Sequence, residues 1–148
     1  MNAKLKMAFG SYFIAALLIL LIGLVYSTRT EVMPYHLEVL GMSWGEIQPQ
    51  VQFMLLAFLH GGGAGALANG AALMFLLFVP FKNRENWSRW ALSVIGLVAS
   101  LPMLYIVLKV KFETPASPPL GVIFLINLLF VVGFVLSTGF NRKQNAEG

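Results

Sequence analysis

The side chains best suited to chemistry in this sequence are a few polar groups set inside or beside long apolar stretches. Apolar stretches of this length are typical of membrane-spanning helices. Polar groups within such a helix usually face protein or a wet cavity, which makes them candidates for ligand binding. An imidazole there could be an axial haem ligand, carry a proton, or hydrogen-bond a quinone or a lipid headgroup. The candidate ligand-binding residues are His60, Tyr105, Asn127, Tyr26 and Lys109.

The same residues have structural alternatives. A lone histidine among packed helices is often a hydrogen-bonding group of the core, and the polar groups could bond to one another and fix the fold. A metal site would need His36 and His60 to meet a carboxylate, and no HxxxH, HxH or ExxH spacing brings them together. The serines lack a G-x-S-x-G context, and no cysteine is present. We therefore predict no metal ligand and no catalytic residue, and binding is favoured over catalysis.

Four long apolar stretches must position these side chains. The chain is 58% hydrophobic and 11% charged, whereas a soluble domain averages about 25% charged residues. Roughly 20 apolar residues cross the hydrocarbon core of a bilayer as a helix. The sequence therefore predicts one domain of the all-α class, an integral membrane four-helix bundle with a longer first outer loop. The predicted spans are 7–27, 49–79, 88–110 and 120–140.

The segment 27–48 is the long loop, and its apolar side chains predict that it lies on the membrane surface. A short helix is predicted from Pro34 to Leu40, with proline in its first turn and Gly41 after its end. Ser43 and Glu46 match the S-x-x-E capping box, which predicts another helical start there.

The second span contains a stretch rich in glycine and alanine, HGGGAGALANGAA, from His60 to Ala72. Because glycine lets membrane helices approach closely, we predict that this helix is the most buried and that Gly62 or Gly65 touches another helix backbone. The alternative is that the small residues leave room for a flat ligand against the backbone. The predicted helix-packing residues are Gly61, Gly62, Gly65, Ala66 and Asn69.

The basic residues predict the orientation of the chain. Seven of the ten lysines and arginines fall in the N-terminus, the turn around 81–89 and the tail, which share one side of the predicted bundle. The side richer in lysine and arginine normally lies in the cytoplasm. We therefore expect both termini in the cytoplasm. The same distribution accounts for the net charge of +4, so nucleic-acid binding is not expected.

The layout resembles small bacterial membrane proteins of the DoxX-like kind. The segments that carry the resemblance are MPYH from Met33, NWSRWAL from Asn86 and TPASPP from Thr114. The resemblance implies a four-helix bundle in a bacterial inner membrane and, for some members, a subunit of a redox or electron-transfer system. It implies no catalytic residue, and the absence of cysteine counts against a thiol-redox role.

Two functional hypotheses follow. The first is a protein that acts by binding, as an accessory subunit of a membrane complex or as a homo-oligomer, with the bilayer, other membrane subunits or itself as partners. The alternative is a membrane enzyme or carrier for a lipophilic ligand, a quinone, lipid or haem, with its site near His60. For that site we expect at least two of Tyr26, His60, Tyr105 and Asn127 to line one cavity beneath the 27–48 loop, with Lys109 and Glu113 near its mouth.

Overall fold

The computed structural model describes residues 3–138, and it is helical without any strand over that range, which confirms the predicted all-α class. Three helices are long and apolar enough to cross a membrane, and a fourth is shorter. The helices are α1 (Ala3–Thr28), α2 (Pro34–Leu40), α3 (Pro49–Leu76), α4 (Asn86–Glu113) and α5 (Leu120–Leu136), with a 3₁₀ turn (Trp44–Glu46) before α3 and a π turn (Leu77–Phe81) after it. The first three predicted spans fall within these elements, and 139–140 of the fourth lie outside the described residues.

The local signals of the long loop are confirmed. Helix α2 begins at Pro34, and the next residue after its end, Gly41, has φ of +66° and donates its N–H to the carbonyl of Leu37. Only glycine adopts this left-handed conformation without steric cost. The backbone N–H of Ser43 donates to the carboxylate of Glu46 at 2.6 Å, which is the reciprocal half of a capping box.

Helix α1 is the centre of the packing, and α3 is not. Helix α1 lies against both α3 and α5, α4 lies mainly against α5, and α3 and α4 have only a small contact with each other. Within the most apolar window of each helix, 33% of α1 residues are buried against 28% for α3. The prediction that the second span is the most buried helix is therefore wrong.

The close contact between α1 and α3 uses glycines other than those predicted. A Cβ on Gly23 would lie 2.7 Å from the backbone nitrogen of Leu67, and one on Gly63 would lie 2.7 Å from that of Ser27. A Cβ on Gly70 would lie 2.6 Å from Leu20. These distances require a hydrogen in place of a side chain, so the two helices touch backbone to backbone.

The prediction that Gly62 or Gly65 touches another helix is wrong within this chain. A Cβ on Gly61, Gly62 or Gly65 would meet nothing within 4 Å. Small residues occur on several sides of α3, so their positions could not reveal which side faces α1. Ala66 and Asn69 are half-buried.

The largest fully buried side chains are concentrated toward the end of the structure that carries the π turn, which we call the turn end. The ring of Tyr12 is fully buried and packs edge-on to Phe81 at a centroid distance of 5.5 Å. A Cβ on Gly133 would lie 2.8 Å from that ring, and one on Gly96 would lie 2.3 Å from the ring of Phe130. The glycines let α1, α4 and α5 close around aromatic rings. The opposite end, which carries α2, is called the α2 end.

Candidate functional site

A cavity of about 480 Å³ lies beneath α2, between α1, α3 and α4. Its volume is within the range of roughly 300–1,000 Å³ usual for small-molecule sites. Its walls are mostly aliphatic and aromatic. Lining residues include Ile22 and Tyr26 of α1, Tyr35, His36, Val39 and Leu40 of α2, Leu55, Phe58, Gly62 and Ala66 of α3, and Met103, Ile106, Val107 and Val110 of α4.

The polar groups of the cavity are concentrated where α2 crosses the end of α1. The hydroxyls of Tyr26 and Tyr35 lie 2.5 Å apart and share a hydrogen bond. Burial raises the pKa of Tyr35, and its hydrogen bond with Tyr26 adds to the rise, so this phenol stays protonated at neutral pH. Burial lowers the pKa of His36, so its imidazole is mainly neutral there. The ring of His36 lies 4.1 Å from that of Tyr35.

Helix α2 is held over the cavity at several points. The side of α2 that lines the cavity carries Tyr35, His36, Val39 and Leu40, which have the spacing of a single helical face. The carboxylate of Glu38 accepts a hydrogen bond of 2.9 Å from the backbone N–H of Ser117, in the turn between α4 and α5. This bond ties α2 to the turn between α4 and α5, so α2 forms a roof over the cavity.

A second cavity of about 220 Å³ continues from the first toward the turn end, between α3 and α4. Both cavities are lined by Ile22, Gly62, Ala66 and Met103, so they meet at these residues. Further on, the second cavity reaches Gly65, Asn69 and Ser100. Gly62 and Gly65, which do not pack against α1, thus line these two adjoining cavities.

The side chain of His60 does not line either cavity. It lies on the same side of α3 as Gly63 and its Nε2 donates a 2.8 Å hydrogen bond to the carbonyl of Arg29, just after α1. This nitrogen is engaged with the backbone, an arrangement that does not fit an axial haem ligand. The contact ties α3 to the start of the loop, which is the structural alternative considered for this histidine.

The other sequence candidates are also separated. Tyr105 is 67% exposed and lines neither cavity. Asn127 is buried, where its side-chain nitrogen donates to the carbonyl of Ile123 at 2.8 Å and its oxygen accepts from the hydroxyl of Ser100 at 2.9 Å. Lys109 forms an exposed 3.9 Å ion pair with Glu113. Only Tyr26 among the four expected residues lines the cavity, so the prediction that at least two share it is wrong.

Sequence reasoning missed Tyr35 and His36 as members of the site. Both lie in a segment that was expected to rest on a membrane surface. The signal that could have identified them is the spacing of Tyr35, His36, Val39 and Leu40, which places four apolar or amphipathic side chains on one side of a two-turn helix.

The arrangement can bind but offers little for catalysis. Within the lining of the two cavities there is no aspartate, glutamate, lysine or arginine. Among residues 3–138, no three His, Asp or Glu side chains come together in a way that could hold a metal ion. What remains is an apolar space with a phenol pair and an imidazole at one end, which is the composition of a site for a lipophilic molecule.

No protein-family model, curated protein or solved structure matches this chain.

Proposed function

We propose that this chain is an integral membrane protein of a bacterial inner membrane, with four spans formed by α1, α3 with its π turn, α4 and α5. The length and apolar composition of three helices support this assignment, and α5, with 17 residues, reaches the lower limit of about 17 for a spanning helix. The excess of lysine and arginine at the turn end and in the tail supports cytoplasmic termini. Reporter fusions at the C-terminus and in the 27–48 loop test the orientation, and an external C-terminus would contradict it.

We infer that the protein works by binding a lipophilic molecule in the cavity beneath α2, as a carrier or as the ligand-binding part of a larger complex. The observation that carries this inference is the cavity itself, which is apolar on its walls and polar at one end. Helices α3 and α4, which form two walls of the cavity, have few contacts with each other. We expect a lipophilic molecule to enter the cavity from the bilayer between these two helices.

The test is co-purification with a matched pair of glycine variants. Gly61 and Gly62 are neighbours in α3, and at either one an added Cβ would meet nothing within 4 Å. Only Gly62 lines the cavity. Wild-type protein and Gly61→Leu should therefore carry a stoichiometric lipophilic molecule into detergent, detected by mass spectrometry of the organic extract, whereas Gly62→Leu should lose it. Equal content in the two variants, or no bound molecule in the wild type, would contradict the proposal.

Association with another copy or another membrane subunit is a second candidate. A stripe of small residues on α3 is exposed, and such stripes let membrane helices pack closely. The stripe consists of Gly61, Gly65, Ala68 and Ala72. Gly61→Leu should break such an association and leave cavity binding intact, so cross-linking or sizing of Gly61→Leu and Gly62→Leu separates the two functions.

A further inference from the structure

The absence of charge in the lining of the two cavities excludes charged ligands. This inference rests on the proposed binding function. No side chain that is charged at neutral pH lines either cavity, because His36 is mainly neutral there. A phosphate, carboxylate or ammonium group inside would lack a counter-ion, and an unpaired buried charge is strongly unfavourable. The part of the molecule that lies in the cavity is therefore uncharged.

The hydrogen bonds at the polar end indicate which neutral group fits. Two phenols bring two O–H donors. In the bond between Tyr26 and Tyr35 one hydroxyl donates to the other, which leaves one O–H hydrogen without an acceptor among the described residues. The neutral imidazole of His36 adds a ring N–H on the same side of the cavity. Spare donors in an apolar space favour a molecule that brings an acceptor oxygen.

The shape of the space indicates how the rest of the molecule lies. The second cavity holds about 220 Å³, less than the roughly 300 Å³ at which ligand sites usually begin. The second cavity is therefore large enough for only part of a ligand, the apolar chain, while the polar head group of the same ligand lies in the first cavity. The connection runs along Gly62 and Ala66, where the missing or short side chains leave the surface of α3 open.

We propose that the cavity binds a neutral single-chain lipid whose head presents a carbonyl oxygen to the Tyr26–Tyr35 pair. The chain of this lipid lies along Gly62 and Ala66 and ends in the second cavity. The head group is held by hydrogen bonds from the phenol pair, and the chain is held by apolar contact. A phospholipid of the surrounding bilayer could place an acyl chain in the same gap, but its charged head would have to remain outside.

The experiment compares four probes with chains of equal length on the full-length protein in detergent, at pH 8. The probes are methyl palmitate, hexadecane, palmitate and hexadecylamine, each at the same mole fraction in the micelle. Binding is measured as the rise in melting temperature with probe concentration, since a molecule that binds only the folded state stabilises it. Methyl palmitate should bind about three- to tenfold more tightly than hexadecane, the size expected for one net hydrogen bond. Palmitate and hexadecylamine should bind more weakly than methyl palmitate.

The variant that tests the head group is Tyr26→Phe with Tyr35→Phe. Removing both partners of a hydrogen bond while keeping their shape is nearly neutral for stability, so this protein should fold. It should bind methyl palmitate about three- to tenfold more weakly than the wild type and should bind hexadecane equally well. The control is Tyr105→Phe, which removes an exposed phenol away from the cavity and should change neither affinity.

The possible results distinguish a failure of the head-group proposal from a failure of the binding function. Equal binding of methyl palmitate and hexadecane, with both lost in Gly62→Leu, would overturn the neutral carbonyl head and leave a purely apolar site. Tightest binding of palmitate or hexadecylamine would also overturn it. If phospholipid alone co-purifies and excess methyl palmitate does not displace it, an acyl chain of the bilayer fills the gap and the proposal is wrong. If no probe binds and nothing co-purifies, the binding function itself fails.

Discussion

The turn end and the α2 end use glycine for opposite purposes. At the turn end, Gly96 and Gly133 face buried aromatic rings, and an added Cβ would overlap them. At the α2 end, Gly62 faces a cavity, and an added Cβ would meet nothing within 4 Å. Glycine thus allows close packing at the turn end and leaves room for a cavity at the α2 end. The comparison teaches that a glycine-rich helix face indicates close packing only when a partner helix lies against it.

The hydroxyl pairs of the two ends also differ in whether they are packed in the core or lie beside a cavity. At the turn end the hydroxyl of Tyr12 lies 2.7 Å from that of Ser93, inside the core. At the α2 end the Tyr26–Tyr35 pair lies at the edge of an open space and keeps one donor spare. The Tyr12–Ser93 pair joins two helices inside the core, whereas the Tyr26–Tyr35 pair lies beside a cavity that a ligand could fill.

The largest effect that the comparison predicts is for glycine substitutions at the two ends. Gly96→Leu should destabilise the fold by about 3 kcal/mol, because its Cβ would lie 2.3 Å from the fully buried ring of Phe130. Gly62→Leu should have no destabilising effect, because leucine forms helices better than glycine and the cavity accommodates its side chain. Thermal unfolding in one detergent measures both. A similar loss for the two variants would show that the α2 end is packed as tightly as the turn end.

A smaller loss of stability than that of Gly96→Leu is expected for a glycine substitution where α1 and α3 are in contact. Gly63→Ala should cost about 2 kcal/mol, because the new methyl group would lie 2.7 Å from the backbone nitrogen of Ser27 and the two helices would have to separate. The matched control is Gly65→Ala, two residues along the same helix, where nothing lies within 4 Å. Unfolding of the two alanine variants under identical conditions gives the difference. If Gly65→Ala is the more destabilised variant, α3 is rotated relative to the present arrangement.

The buried hydroxyl pair of the turn end should contribute less than the glycines. Tyr12→Phe leaves the hydroxyl of Ser93 in the core without this partner, and an unsatisfied buried hydroxyl costs about 1 kcal/mol. Tyr105→Phe removes an exposed phenol and should change stability by less than about 0.5 kcal/mol. The melting temperatures of both variants test this contrast. Equal values would show that the tyrosine–serine bond has no net effect.

Apolar stretches and local signals predicted the helices well. The sequence placed α2 at Pro34–Leu40 and three long helices within a few residues of their ends. These features depend on residues close in sequence, such as Pro34 at a helix start and Gly41 after its end. Hydrogen bonds within a helix satisfy the backbone locally, so a long apolar segment is enough to identify it.

The rotation of each helix could not be predicted in the same way. An apolar helix has no polar side to show which face points inward, and α3 carries small residues on several sides. The predicted face, with Gly62 and Gly65, is about one residue's rotation away from the real one, with Gly63 and Gly70. That error also explains His60, which lies on the α1 side of α3 and bonds the carbonyl of Arg29 instead of lining the cavity.

The smallest expected effect is a pH dependence confined to the α2 end. Burial lowers the pKa of His36 below its usual value near 6.5. When α2 detaches from the cavity, His36 regains its usual pKa and binds a proton more tightly than when α2 is docked. The docked state of α2 therefore has its full stability above about pH 6.5 and loses stability as the pH falls. No carboxylate lines the cavity to offset the charge. At pH 5.5, backbone amides of residues 35–40 should therefore exchange faster in the wild type than in His36→Gln, which cannot be protonated, while those around Tyr12 exchange equally. Equal exchange of residues 35–40 in both proteins at pH 5.5 would show that His36 is not held in an apolar site.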